Sequence, residues 1–251
     1  MHARLQQFRF DWKFTLITAL VFPLLISLGL WQLEREQEKL QLQQQYTSRQ
    51  QQAPVDLATL DPGDDLLYRQ VQARGTFDNA HVFLLDNRIY QGRPGYEVLI
   101  PMFTTPGQVA FINRGWVPQG QYRTELPEIE VVEGVNAVRG TLYAALGEQL
   151  VLGPELATGD WPKVIQRLDV AAMASLAGYD PEQAVFPYTI RLPEGTANVP
   201  PGYWPVVSMS PEMHRGYAVQ WFAMAAALVG LYLYYSTRPP NAAAAEDSHS
   251  R

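Results

Sequence analysis

The longest apolar segments of the chain form two blocks, one near each end. Phe14 to Trp31 reads FTLITALVFPLLISLGLW, which is eighteen residues without a charge, and Tyr217 to Tyr235 reads YAVQWFAMAAALVGLYLYY, which is nineteen. A helix rises about 1.5 Å per residue, so each block would reach roughly 27 Å, close to the thickness of the hydrocarbon core of a bilayer. The pattern predicts an integral membrane protein with two transmembrane α-helices.

Each block has an alternative interpretation. The first could be a cleaved secretory signal, because Ser27-Leu28-Gly29 offers small residues at a suitable cleavage spacing. Its apolar run is longer than the roughly 7–15 residues of a signal core, which favours an uncleaved anchor. The second could be a buried helix of a soluble protein, but nineteen uncharged residues ending in an aromatic cluster favour a membrane span.

The flanking charges predict the orientation. Basic residues precede the first span, whereas acidic residues dilute the basic ones just after it (Arg4, Arg9 and Lys13 before; Glu34, Glu36 and Glu38 after). The positive-inside rule then places residues 1–13 in the cytoplasm. Two spans return the chain to the same side, so we expect 236–251 to be a disordered cytoplasmic tail and the central segment to be extracytoplasmic.

The central segment divides into a stalk and a domain. Residues 32–52 are glutamine-rich and helix-permissive, which predicts a solvated polar stalk that Ala53-Pro54 ends. Residues 53–213 show short alternating runs bounded by Gly, Pro and Asn, typical of a mostly antiparallel β-barrel or sandwich. Pro187 should mark an edge or a bulge. One short helix is expected from Val170 to Ala177, with Asp169 as N-cap and Gly178 as the stop.

Composition excludes several classes of function. The 251 residues carry a formal net charge of -6 and no basic cluster, which argues against a nucleic-acid partner. The chain has no cysteine, so disulfides, thiolate metal sites and covalent c-type haem attachment are excluded. No P-loop, nucleophile elbow or metalloprotease motif occurs, and the paired carboxylates fit solvated turns. We therefore expect a protein that is not an enzyme.

The start of the second span carries the one arrangement that suggests chemistry. His214, Tyr217, Trp221 and Met224 follow at spacings of three, four and three, so they share a helix face, with Gln220 beside them. A neutral imidazole backed by aromatic and thioether groups could ligate haem iron. The alternative is that these residues are interfacial anchors and that Gln220 bonds the first span. His81, in contrast, should be a plain surface residue.

Five segments, in order, resemble motifs of the surfeit locus protein 1 family. They are L-G-L-W-Q-L-E-R from Leu28, Y-R-Q-V with G-T-F from Tyr68, G-Y-E-V from Gly95, N-R-G-W-V-P from Asn113, and H-R-G-Y with Q-W-F from His214. Gln70 stands where the family usually has proline, which should alter the rigidity of a strand edge. The similarity runs from about Leu28 to Tyr235, between two correctly placed spans.

This resemblance implies a role in respiratory chain biogenesis, as a chaperone that assists assembly of cytochrome c oxidase. The implied activity is delivery or insertion of haem a into oxidase subunit I. The resemblance also implies other assembly factors as further partners. His214 would be the haem contact, with Tyr217 and Trp221 shaping the pocket. The segment before the first span is too short for a transit peptide, so a bacterial inner membrane is expected, with the central domain in the periplasm.

A cofactor-free membrane scaffold is the alternative function. In that case the β-rich domain would grip an oxidase assembly intermediate, and the N-R-G-W-V-P segment would supply contact residues. Arg114 and Trp116 are the candidates, although Trp116 could equally pack in the domain core. Haem content and its dependence on His214 would discriminate between the two functions.

Overall fold

A computed structural model describes residues 11–105, 107–122, 125–145, 160–180 and 185–237. The chain divides into two compact units. The helical unit comprises residues 1–43 and 207–251, and the β unit runs from Gln44 to Val206. Most of the predicted cytoplasmic N-terminus and nearly all of the predicted C-terminal tail lie outside the described residues.

The helical unit contains the two long helices that the apolar blocks predicted. Helix α1 spans Trp12–Gln50 and continues past the unit boundary, and helix α3 spans Pro211–Thr237. Asp11 starts α1, because its carboxylate accepts hydrogen bonds from the backbone N–H groups of Lys13 and Phe14. Both helices are long and apolar enough to cross a membrane, and only 6% and 11% of their most apolar windows are buried. A soluble core helix would be mostly buried, so the observed exposure suits a lipid-facing surface better.

The two helices pack antiparallel within this unit. Phe14 and Thr15 near the start of α1 contact Tyr232 near the end of α3, through stacked rings 5.7 Å apart and a 3.0 Å hydroxyl hydrogen bond. Further along, a Cβ at Gly29 would lie 2.5 Å from the ring of Phe222. Glycine is therefore the residue that lets the helices approach this closely, as small residues do between membrane helices.

The β unit is built on a closed ring of five strands. The described residues form eight strands, which are β1 Val55–Asp56, β2 Gln70–Phe77, β3 Phe83–Tyr90, β4 Arg93–Thr104, β5 Val109–Pro118, β6 Val135–Tyr143, β7 Lys163–Ile165 and β8 Val185–Arg191. Pairing runs β2-β6-β8-β5-β4, and β4 pairs again with β2 to close the ring. Strands β3 and β7 extend the sheet from β4, and β1 adds to β2. A 3₁₀ helix, Leu57–Thr59, follows β1.

Alternation along the strands explains where the core lies. In β2 the residues Val71, Ala73 and Gly75 are buried while Gln72 and Arg74 are exposed, the period-two pattern of a strand with one face inward. The inward residues of β2, β4, β5, β6 and β8 pack into one apolar cluster, which includes Met102, Ile112, Leu142, Phe186 and Ile190. The closed sheet therefore encloses a filled core rather than a channel.

The sheet is mixed: antiparallel pairings are the majority, as predicted, and parallel pairings occur beside them. Among the described strands five pairings are antiparallel, and three are parallel: β1 with β2, β3 with β7, and β5 with β8. The β5–β8 register jumps between Val109↔Val185 and Phe111↔Thr189, so two extra residues of β8 are accommodated around Pro187. The predicted irregularity at this proline is confirmed.

The predicted short α-helix of the β unit is where the sequence placed it. Helix α2 spans Val170–Ala177. The carboxylate of Asp169 accepts a hydrogen bond from the N–H of Ala172, and Gly178 ends the helix in the left-handed region at φ 80°. A side chain at that φ would be strained, which is why glycine is the natural residue at this end.

The end of α1 is not the solvated stalk that its composition predicted. The ring of Tyr46 packs edge-on against Tyr68 at 5.3 Å. The amide of Gln50 donates to the carbonyl of Tyr68 and to the hydroxyl of Thr141, and Arg49 forms an ion pair with Asp65. These residues belong to the β unit, so the polar side chains of the last turns serve contacts with the sheet.

Candidate functional site

His214 lies at the centre of the polar contacts between α1 and α3. It occupies the first turn of α3, where only 8% of its surface is exposed. Its Nδ1 atom is 2.8 Å from the side-chain oxygen Oε1 of Gln32 on α1. An amide oxygen can only accept, so this contact requires the proton to be on Nδ1.

The other ring nitrogen of His214 has no partner in the structure. With the proton on Nδ1, Nε2 carries a lone pair, and this atom is buried with no hydrogen-bond partner. Buried polar atoms almost always have partners, so a bare one needs an explanation. Metal-bound histidines commonly donate their second N–H to a neighbouring oxygen, which fixes the ring and its tautomer. Gln32 supplies that oxygen.

An ion pair lies beside this histidine. Arg215 on α3 donates from Nε to Oε1 of Glu36 on α1 at 2.7 Å, and its Nη2 lies 2.5 Å from the same oxygen. Glu36 is only 7% exposed, so its charge needs this partner. Gly29, Gln32 and Glu36 follow at spacings of three and four on one face of α1, which places their contacts in a row along α3.

The remaining predicted pocket residues are not packed around His214. Tyr217 is 40% exposed and Met224 is 45% exposed, while Trp221 is half-buried. Within the described chain no ring contact joins His214 to Tyr217 or Trp221. The buried face of α3 instead carries His214, Ala218 and Ala225. Tyr217, Trp221 and Met224 therefore flank this buried face and form an open side of the helix.

Gln220 does not bond the first helix, which corrects the alternative interpretation of this segment. Its side chain is exposed. The polar links between the helices come instead from Gln32 and Glu36. Sequence reasoning missed both as partners, although they fall at helical spacing within and just after the L-G-L-W-Q-L-E-R segment. That periodicity was the available signal.

Arg114 is an interior residue of the β unit. It is 5% exposed, and its Nη1 donates to the backbone carbonyl of Glu130 at 2.9 Å. Burial lowers the pKa of its guanidinium, and the nearby Glu130 carboxylate partly offsets that effect. Little of this side chain is available to touch a partner protein.

Trp116 is half-buried and fixed by the sheet. Its indole Nε1 donates to the carbonyl of Arg88 at 3.2 Å, and its ring lies where a Cβ on Gly95 would be, at 2.4 Å. Gly115, which lies between Arg114 and Trp116 in the chain, has a φ of 101°. A Cβ on this residue would lie 2.4 Å from the backbone of Asn198. The contacts of the N-R-G-W-V-P segment therefore hold β5 against neighbouring parts of the β unit.

His81 is not a plain surface residue, in contrast to the prediction. Its Nδ1 lies 2.6 Å from Oδ2 of Asp78, and its ring packs edge-on against Trp161 and Tyr179. The hydroxyl of Tyr179 donates a short hydrogen bond to the same carboxylate oxygen. Burial alone would raise the pKa of Asp78, but the hydrogen bonds from Tyr179 and His81 outweigh it and hold the pKa below its ordinary value.

No group of three or more His, Asp or Glu side chains among the described residues could hold a bare metal ion. A single histidine, as at His214, would suit an iron that is already bound in a porphyrin. The orphaned Nε2 atom and the fixed tautomer both fit such a group. Of the candidate residues, His214 is the one whose surroundings match a ligand.

The model of the SURF1 family matches residues 19–226, which cover most of α1, the whole β unit and the first part of α3. The chain belongs to the SURF1 family. Surfeit locus protein 1 of Takifugu rubripes is 27% identical over 235 residues, covering 86% of this chain and 92% of that relative. The human surfeit locus protein 1 is 27% identical over 238 residues, covering 86% and 74%.

Bacterial members of the SURF1 family are also similar. A SURF1-like protein of Rickettsia felis is 32% identical over 106 residues, which is 41% of this chain and 46% of that protein. The family resemblance expected from the five sequence motifs is therefore confirmed. The match spans His214, Gln32 and Gly29, so the contacts of these three residues between α1 and α3 fall within the family region.

Proposed function

We propose that this SURF1-family chain is a non-enzymatic assembly factor for cytochrome c oxidase that holds haem a through His214 and passes it to oxidase subunit I. The single observation that carries the proposal is the bare Nε2 atom of His214, oriented by Gln32. A buried imidazole that lacks a partner on one side is what an axial haem ligand requires. Membership of the family supports the oxidase as the recipient.

The proposed location is a bacterial inner membrane, with α1 and α3 spanning it. Their length and apolar composition support this assignment. The similarity to SURF1-like proteins of bacteria supports the compartment. The charge distribution around α1 supports cytoplasmic termini and a periplasmic β unit. Alkaline phosphatase fused at Gly134, an exposed turn before β6, should be active, and activity only of a cytoplasmic reporter at the same position would contradict this topology.

In the proposed complex the protein residues have separate tasks. His214 would bind the haem iron through Nε2, and Gln32 would hold the imidazole in the tautomer that leaves this nitrogen free. The exposed ring of Tyr217 and the half-buried ring of Trp221 would offer a flat apolar surface beside it. Haem a supplies the redox-active iron that the oxidase needs.

The test is the absorption spectrum of the full chain purified from cells that make haem A. We expect bound haem a in the wild type and its loss in His214→Ala. The matched control is His81→Ala, because His81 is also a partly buried histidine but belongs to the β unit. His81→Ala should retain the spectrum. A haem-free wild type, or haem retained by His214→Ala, would overturn the ligand role.

The same preparations distinguish the scaffold alternative. If haem-free His214→Ala still co-purifies the oxidase subunits in wild-type amounts, binding of the assembly intermediate does not depend on the cofactor. If that variant loses both haem and the oxidase subunits while remaining folded, haem and partner are coupled. The second outcome is the one that the haem-handling proposal predicts.

A further inference from the structure

A cavity of about 260 Å³ opens on the β unit where β6, β8 and the last turns of α1 meet. Its lining includes Tyr46 and Gln50 of α1, Arg139 and Thr141 of β6, Arg191 at the end of β8, and Trp204. All of these residues lie in the β unit, so the cavity is formed within one compact part of the chain. Neither His214 nor the helical unit contributes to it.

The guanidinium of Arg191 packs against two aromatic rings at this cavity. Its central carbon is 3.1 Å from the ring centroid of Tyr143 and 4.4 Å from that of Trp204. The indole of Trp204 is itself fixed, because its Nε1 donates to the carbonyl of Leu192 at 2.9 Å. A guanidinium packed against aromatic rings loses little further conformational freedom when a ligand binds. Its N–H groups lie in the plane of the guanidinium, where a ligand can accept from them.

Arg191 lacks a counter-charge. Its Nε atom is buried and has no hydrogen-bond partner, and no carboxylate among the described residues forms an ion pair with it. A second cation, Arg139, also lines the cavity. The one acid in the lining is Glu194, and its Oε2 accepts a hydrogen bond from the N–H of Gly202 at 2.8 Å. The lining thus carries a net positive charge and an unused guanidinium donor.

The size and the walls restrict what could enter. A cavity of 150 Å³ holds a benzene molecule, and drug-sized ligands need roughly 300–1,000 Å³. About 260 Å³ lies between the two. The aromatic walls from Tyr46, Tyr143 and Trp204 suit a flat apolar body, and the planar fork of an arginine suits a carboxylate.

We propose that this cavity is a binding site for a small monocarboxylate carrying a single flat apolar group, with Arg191 as the carboxylate-binding residue. The amides of Gln50 and Gln70 and the hydroxyl of Thr141 bond one another on the cavity wall, so they shape the site rather than provide its charge. The site is independent of the haem proposal, because it lies in a different unit and uses none of the same residues.

The experiment uses the full chain in detergent and ¹⁹F NMR with 4-fluorophenylacetate as the probe. The neutral isostere 4-fluorophenylacetamide is the matched probe control. We expect saturable binding of the acid and at least about tenfold weaker binding of the amide, since a charge-assisted hydrogen bond contributes that much or more. Quenching of tryptophan fluorescence, to which Trp204 at the cavity contributes, should follow the same binding curve.

Three variants test the residues. Arg191→Met keeps an apolar side chain between the rings but removes the charge, and should weaken acid binding about tenfold or more. Glu194 is exposed, and Glu194→Gln removes its negative charge while keeping an acceptor for the N–H of Gly202. This variant should therefore bind the acid about two- to threefold more tightly. Arg74→Gln removes the same type of charge from an exposed position outside the cavity and should leave binding unchanged.

The outcomes decide the proposal. Absence of saturable binding of the acid, equal binding of acid and amide, or equal binding to wild type and a folded Arg191→Met would overturn it. If Arg191→Met does not fold, Glu194→Gln decides, because tighter binding of the acid supports the site and unchanged or weaker binding contradicts it. None of these results depends on haem, and loss of haem from His214→Ala would not alter them.

Discussion

Glu97 in the β unit and His214 in the helical unit are both buried polar side chains, with 4% and 8% of their surfaces exposed, but their surroundings differ. One carboxylate oxygen of Glu97 accepts from Nδ2 of Asn113 at 2.5 Å, and the other accepts from the hydroxyl of Tyr203 at 3.2 Å. Arg88 lies 3.3 Å from the latter oxygen. His214 has Gln32 on one nitrogen and nothing on the other.

The difference separates a structural polar group from a candidate functional one. A buried charge that is fully partnered stabilises the native arrangement only as long as every partner remains. Burial, together with the proximity of the Glu97 carboxylate, raises the pKa of Tyr203, so this hydroxyl stays protonated and donates. A buried imidazole with one unpartnered nitrogen adds little to the stability of the fold. That nitrogen can still accept a hydrogen bond or bind a metal.

The largest expected effect is that of removing Glu97. Glu97→Ala would leave Arg88 without its counter-ion and Asn113 without its acceptor, so we expect a loss of about 3–5 kcal/mol in the free energy of unfolding. Urea unfolding of the full chain in detergent, followed by tryptophan fluorescence, measures it. Glu128→Ala is the matched control, because Glu128 is exposed and should change stability by no more than about 0.5 kcal/mol. A loss below about 1 kcal/mol for Glu97→Ala would contradict the structural role.

A smaller effect is expected from Gln32→Leu. Loss of the acceptor would free the imidazole of His214 to change tautomer, and outer partners of this kind typically contribute 10–100-fold to ligand affinity. We expect weaker haem retention than in the wild type but only about 0.5–1.5 kcal/mol lower stability. Haem titration and thermal unfolding measure the two quantities on the same sample. Gln220→Leu serves as the control, since Gln220 is exposed, and equal haem retention by both variants would refute the orienting role.

The smallest effect concerns Asp78, a second partnered acid of the β unit. Its pKa is lowered in the folded protein, so its contribution to stability is present above its ordinary pKa of about 4 and is lost as pH falls through the lower folded value. Wild type should therefore lose stability below about pH 4 more steeply than Asp78→Asn. Thermal unfolding between pH 3 and about pH 6 checks this. Parallel pH profiles for the two proteins would show that Asp78 has no such role.

The sequence predicted what depends on local pattern. Helix α2 was placed correctly because its cap, Asp169, and its stop, Gly178, lie next to it in the chain. The long helices followed from uninterrupted apolar runs, and the strands from alternation. The irregularity at Pro187 followed from a missing N–H group.

The parts that failed depend on partners far apart in the chain. His81 was taken for a surface residue because Trp161 and Tyr179, which cover it, come about eighty and a hundred residues later. The parallel pairing of β5 with β8 and the closure of β2 on β4 likewise have no local signature. Helical periodicity could place Gln32 on one face of α1, but only the structure pairs it with His214, which is 182 positions away.

The close approach of the helices at Gly29 and Phe222 also has a kinetic consequence. Nε2 of His214 is buried between the helices. In the proposed function, a haem iron would therefore reach it only during a transient opening of the helix pair. Association should then be slow, independent of cofactor concentration once that is high, and steeply dependent on temperature. Enlarging the residue at position 29 would hold the helices apart and so accelerate loading while weakening retention.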